Sequence, residues 1–174
     1  MKKAMIVLLI VGSGALAFAQ EKNPVSDVIR QILPRRQSNL IAAAEQMPAD
    51  KYSFKPTPGQ ITFGKLIMHI AESNNFMCSK AGDVPEPKAP NLKETDSKEH
   101  LVAALKDSFA FCSTALAKVN DSQLADPVEL FGGRKGTRAL ALFALSNDWA
   151  DHYSAAAQYL RLNGMLPPTA QQKK

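Results

Sequence analysis

Asp148 and His152 lie one helical turn apart in the stretch SNDWADHYSAAAQYLRLNGMLPP, residues 146–168. At 100° per residue, Ala141, Leu145, Asp148, His152, Ala155 and Tyr159 fall within an arc of about 80° on a helix. The acid and the imidazole therefore adjoin, as i and i+4, on a stripe that is otherwise largely apolar. An inward carboxylate without a partner costs several kcal/mol or takes up a proton. It needs a metal, an arginine or the neighbouring imidazole.

His69 is the third residue of interest. It sits at the margin of an apolar helix face, flanked by Leu66 and Ser73 rather than centred among Phe63, Ile67 and Ile70. That position suits a hydrogen-bonded rim histidine as well as a ligand. Two imidazoles and one carboxylate form a facial set for zinc, nickel or iron(II), with coordination positions left open. The D-x-x-x-H spacing is common by chance, so a second reading stands beside it: a buried Asp–His hydrogen bond that holds the last helix in register. His100, near the start of the third helix, has no assigned role. Asp151 lies a quarter-turn from the stripe, where solvent is expected, and Ser154 is on the wrong side of the helix from His152. No complete set of nucleophile, base and orienting group is present.

Four helical patterns would have to position these residues. Asn23-Pro24 reads as an N-cap followed by proline at the first helical position. Val25, Val28, Ile29, Ile32, Leu33, Leu40 and Ile41 continue an apolar stripe to about Gln46, with Pro34 predicting a kink or break. Residues 47–60 form a linker with three prolines. The second helix starts near Thr62, carries Phe63, Leu66, Ile67, Ile70 and Met77, and ends around Gly82. A proline-rich connection leads to Ser97 and the third helix, with Leu101, Leu105, Phe109, Cys112 and Leu116 on one face. An irregular stretch follows, with a short hairpin at Phe131-Gly132-Gly133. Thr137 caps the fourth helix, which runs to Leu162 or Asn163. Gly164 supplies a left-handed end and Pro167-Pro168 prevents continuation. No repeats and no convincing strand ladder appear. The fold class expected is all-α, a four-helix bundle.

The two cysteines bear on topology. Cys78 lies roughly 24 Å along the second helix and Cys112 roughly 22 Å along the third, at 1.5 Å per residue. Antiparallel neighbours would place the sulfurs on the order of 15 Å apart, whereas parallel ones bring them level. The connection of about 14 residues reaches about 45 Å when extended, enough for a return to the same end. A Cys78–Cys112 disulfide and an up-down-down-up order therefore support each other. Two buried free thiols remain the alternative.

Residues 1–19 read as a secretory signal peptide: MKK, an apolar run, and Ala17-Phe18-Ala19 before Gln20. The expected domain is then 20–174, exported to the periplasm or beyond, with no membrane span after signal removal. The formal net charge is +5, of which Lys2 and Lys3 belong to the signal. The remaining basic residues are scattered and are not interleaved with aromatics, so nucleic acid is not an expected partner. A homodimer and an unidentified small-molecule substrate are the partners considered.

The chain resembles the DinB superfamily, its secreted DinB-like (YfiT-like) members in particular. The resemblance rests on MPADKYSFKPTPGQITFGKLIMHIAESNNFMCS, LKDSFAFCSTAL, LFGGRKGTRA and DWADHYSAAAQYLRLNGMLPP. It implies an up-down-down-up bundle. It also implies a metal site near one end, built from a histidine of the second helix and an H-x-x-x-H pair in the last. His69 matches the first ligand and His152 the last, while Asp148 stands where the family usually has histidine. Relatives of this fold include metal-dependent thiol transferases and a thiol-dependent isomerase. The first functional reading built on it is a divalent-metal-dependent transferase or hydrolase; on position in the helices, Tyr153, Asp151 or Ser73 are the candidates to support the ligands. The alternative is a non-catalytic stress-related or binding module in which the cluster is structural.

Overall fold

The computed structural model describes residues 22–88 and 91–171. The signal peptide expected at 1–19 lies outside them. Among the described residues there are four long helices: α1 (Pro24–Gln46), α2 (Phe63–Gly82), α3 (Lys98–Leu116) and α4 (Arg138–Leu162). A small antiparallel hairpin, β1 (Pro127–Glu129) and β2 (Lys135–Thr137), precedes α4 and pairs Val128 with Gly136. None of the described helices is long and apolar enough to cross a membrane.

Three of the four helix starts follow from the chain's own capping residues. The hydroxyls of Thr62, Ser97 and Thr137 accept from the backbone N–H groups of Lys65, His100 and Leu140. The first helix differs from expectation. Asn23 occupies the capping position but makes no cap bond with its side chain. Instead the Asp121 carboxylate, from the loop after α3, accepts from the Val25 and Ser26 N–H groups at 2.9 Å each. Asn23 Oδ1 in turn accepts from the Asp121 N–H at 2.9 Å. The cap is thus tertiary and reciprocal.

Pro34 does not break α1, which runs through it from Pro24 to Gln46. Contacts on the N-terminal side of the proline explain this. Arg30 donates from Nη1 to the carbonyls of Leu116 and Val119, both at 3.0 Å, and Asp121 holds the turn before it. Tertiary packing outweighs the missing hydrogen bond.

Helices α2 and α3 run parallel, with residue i of α2 level with i+34 of α3. Asn74 Nδ2 donates to Ser108 Oγ at 3.0 Å, and Cys78 is joined to Cys112 by a disulfide with Cα atoms 5.1 Å apart. The approach is close: a Cβ on Gly82 would lie 2.8 Å from the Ala115 carbonyl oxygen. Helices α2 and α4 run antiparallel and are tied at both ends. The buried Arg138 donates to the Ala81 carbonyl at 2.7 Å, and the Tyr159 hydroxyl donates to the Ile61 carbonyl at 2.7 Å. The order is up-down-down-up, as the cysteine heights require. Gly164 has a φ of +75° and ends α4 as expected.

The core lies between the four helices. Leu40, Met47, Phe63, Ile67, Ile70, Leu101, Leu105, Phe109, Leu142, Leu145 and Trp149 are all buried there. Each such side chain contributes about 1.5–3 kcal/mol by leaving water. Because α2 and α4 cross this core side by side, the edges of their apolar stripes meet along one groove.

Candidate metal centre

The α2–α4 groove carries pairs of residues whose numbers add to nearly the same value, as antiparallel neighbours must. His69 faces His152 with ring centroids 5.0 Å apart and planes at 66°. One turn further, Ser73 faces Asp148, and its hydroxyl donates to Asp148 Oδ2 at 3.0 Å. The other carboxylate oxygen, Oδ1, lies 3.3 Å from His152 Nε2. His69, Asp148 and His152 each offer one ligand atom such that all three atoms lie within 4.8 Å of one another. The structure thus brings together the three residues that sequence spacing alone left on two separate helices.

Exposure grades across the cluster. The His152 and Asp148 side chains are 14% and 27% exposed, and His69 stands at the solvent-facing rim. His152 Nε2 is itself buried, yet has no hydrogen-bond partner among the described residues. Its 3.3 Å approach to Asp148 lacks hydrogen-bond geometry. Burial pushes the His152 imidazole below its ordinary protonation range, the Asp148 carboxylate pulls the other way, and His69 adds to the fall. A neutral, buried imidazole nitrogen without a donor or acceptor opposite it costs on the order of 1–3 kcal/mol.

The three residues are of types that hold a divalent cation, with their ligand atoms within 4.8 Å of one another. Metal bonds of about 2.0–2.2 Å to nitrogen and carboxylate oxygen, in a tetrahedral arrangement, put neighbouring ligand atoms roughly 3.3–3.5 Å apart. The separation of Asp148 Oδ1 and His152 Nε2 is such an edge. The donor set, two imidazoles and one carboxylate oxygen, suits zinc, nickel or iron(II).

Of the supporting residues considered from sequence, only Ser73 reaches the cluster by a hydrogen bond. Tyr153 is buried and exchanges hydrogen bonds with Thr169, its hydroxyl donating to Thr169 Oγ1 at 2.9 Å and accepting from the Thr169 N–H at 3.0 Å. Asp151 and Ser154 are exposed. His100 belongs elsewhere, with Nδ1 3.1 Å from Asp96 at the start of α3.

Sequence reasoning missed a second polar group beside the first. Trp149 and Asn74, both fully buried, are joined by a 2.7 Å hydrogen bond from the indole N–H to Asn74 Oδ1. Asn74 donates to Ser108, which donates to the Leu105 carbonyl at 2.8 Å. The available signal was Asn74 itself, a polar residue on the apolar stripe between Ile70 and Met77.

Compared with known families, residues 32–153 match the DinB superfamily. No curated protein matches the chain. Solved structures resemble its fold. A DinB-like protein from Bacillus subtilis is 20% identical, with a TM-score of 0.67 over 84% of this chain and 99% of that one. A DinB-like protein from Bacillus cereus is 18% identical, with a TM-score of 0.67 over 82% and 95%. A mycothiol-dependent maleylpyruvate isomerase is 15% identical, with a TM-score of 0.58 over 74% of this chain and 59% of that one.

Proposed function

The chain belongs to the DinB superfamily, and from that premise we propose that it is a divalent-metal protein. Its ligands are His69, Asp148 and His152, and it acts outside the cytoplasm as a metal-dependent transferase or hydrolase. The observation that carries this reading is the buried His152 Nε2, without a hydrogen-bond partner among the described residues and 3.3 Å from Asp148 Oδ1. A structural Asp–His pair would be expected to make that hydrogen bond; a ligand nitrogen keeps its lone pair for an ion.

When bound, a divalent ion in such a site acts as a Lewis acid and lowers the pKa of a coordinated thiol or water. The protein's own residues do the rest. His152, held neutral by burial, offers its lone pair without first losing a proton. Asp148 offsets one unit of the cation's charge and leaves a net positive centre for an anionic or polarised substrate group. His69 closes the set from the rim, so the side away from the core is where a small substrate arrives. The Trp149–Asn74 bond ties α4 to α2 one residue along from the cluster.

Export is supported by the Cys78–Cys112 disulfide, which suits an oxidising compartment. Low-molecular-weight thiols are scarce there, which favours hydrolysis over the thiol chemistry named for the isomerase neighbour.

Metal analysis of the purified chain tests the reading. One equivalent of zinc, nickel or iron is expected in the parent, lost in both His69→Ala and His152→Ala. A screen of thiol-transfer and ester substrates then addresses turnover. A metal-free protein whose melting temperature collapses on Asp148→Ala would support the non-catalytic alternative instead.

A further inference from the structure

Asp148 has two carboxylate oxygens, and the structure treats them differently. Oδ2 accepts from the Ser73 hydroxyl at 3.0 Å, while Oδ1 faces His152 Nε2 at 3.3 Å. Ser73 is buried, 2% exposed, and belongs to α2, one helical turn beyond His69. The hydroxyl therefore comes from the helix that supplies one imidazole and acts on the ligand supplied by the other helix.

Resting on the metal reading above, we infer that Ser73 is a positioning residue that makes Asp148 a one-oxygen ligand. Three physical points carry this. First, the terminal torsion of an aspartate is soft, so its carboxylate can rotate unless something holds it. A hydrogen bond to one oxygen removes that freedom and leaves the second oxygen aimed at the cluster. Second, a bidentate carboxylate would occupy an additional coordination position. Engaging Oδ2 elsewhere leaves that position for substrate. Third, the other candidates for this task are occupied or turned away: Tyr153 bonds to Thr169, and Asp151 is exposed. Ser73 and Asp148 thus form one functional unit, a short acid with an orienting hydroxyl.

The consequence is a specific dependence of metal affinity on a residue that touches no metal. Removing an orienting partner of a ligand typically weakens metal binding by about 10- to 100-fold. The experiment is a Zn2+ competition titration against a chromophoric chelator, on the full chain and on Ser73→Ala and Ser73→Thr. Ser73→Ala is expected to bind Zn2+ about 10- to 100-fold more weakly, and Ser73→Thr, which keeps the hydroxyl, to recover most of that loss. Co2+-loaded parent and Ser73→Ala proteins are expected to differ in their visible absorption bands, since the carboxylate changes its mode of binding. Melting of the chelator-treated proteins serves as the structural readout.

Equal Zn2+ affinity in parent and Ser73→Ala, with unchanged Co2+ bands, would overturn the positioning role while leaving the metal site standing. Failure of the parent chain to take up Zn2+ or Co2+ at all would remove the metal reading, and this inference with it. Should Ser73→Ala fold poorly, the comparison of Ser73→Thr with Ser73→Val, which has the same shape without the hydroxyl, decides. Affinity that does not follow the hydroxyl contradicts the inference.

Discussion

Ser73 and Asn74 are neighbours in α2, as Asp148 and Trp149 are in α4, yet the two pairs they form across the groove are built on opposite terms. The Asn74–Trp149 pair is fully buried and closed. The indole N–H has Asn74 Oδ1, the Asn74 amide has Ser108, and Ser108 has the Leu105 carbonyl. The cluster one residue away is open: Asp148 is half-buried and His152 Nε2 has no partner among the described residues. A polar group in a helical bundle that serves the fold mostly satisfies its own valences, because leaving them unmet in low dielectric is costly; among the described residues Asn75 Oδ1 and Arg138 Nε are exceptions beside His152 Nε2. What sets His152 apart is that its unmet nitrogen lies beside a carboxylate and a second imidazole, residue types that hold a metal. Having both within one helical turn separates the two kinds of burial inside a single molecule.

The contrast can be broken by mutation, the largest effect coming from the closed side. Trp149→Ala deletes the largest fully buried side chain among the described residues and leaves Asn74 Oδ1 without its donor. Chemical denaturation should show a loss of about 3–5 kcal/mol, the same with and without chelator. A cost that depended on metal would erase the distinction between the clusters.

The open side should respond to metal instead. With Zn2+ at a hundredfold excess over its dissociation constant, ligand linkage raises stability by about 2.7 kcal/mol. Thermal unfolding should show that gain in the parent and none in His152→Ala, while in chelator the two proteins differ little.

Asn74→Ala comes next, leaving the Trp149 N–H without its acceptor. The expected loss is about 1–3 kcal/mol, again indifferent to chelator, and measured by urea titration.

The smallest effect is in pH. His152 is held below the ordinary imidazole value near 6.5, so on acidification the unfolded chain takes up a proton before the folded one does. Stability of the metal-free protein should therefore be level above that value. It should fall as pH drops through 6.5 toward the folded-state value, then level off. Melting curves in chelator between pH 8 and 5 should show this decline, reduced in His152→Gln. A melting temperature that rose on acidification would contradict the assigned direction.

Much of the bundle was legible because its signals are local. Thr62, Ser97 and Thr137 cap where hydroxyl, periodicity and preceding breaker coincide, and the cysteine heights favour parallel α2 and α3 once the two cysteines are taken as bonded. What failed was tertiary. Asn23 looks like a cap, but the carboxylate that caps α1 comes from Asp121, far away in sequence; of the kink or break expected at Pro34, the break does not occur. The metal candidates were partly legible. Asp148 and His152 are fixed by helix period, whereas the place of His69 depends on how α2 is rotated against α4. Spacing could put it at the margin of a face but not opposite His152. Trp149 and Asn74 went unread as a pair because a hydrogen bond across two helices leaves no trace in either helix's own pattern.

Anomalous diffraction from crystals grown with Zn2+ most directly separates a metal centre from a structural Asp–His pair. A metal centre gives a single strong zinc peak within about 2.0–2.2 Å of a His69 ring nitrogen, Asp148 Oδ1 and His152 Nε2, with Ser73 still donating to Oδ2. A cluster empty of zinc, with His152 Nε2 hydrogen-bonded to Asp148, would contradict it.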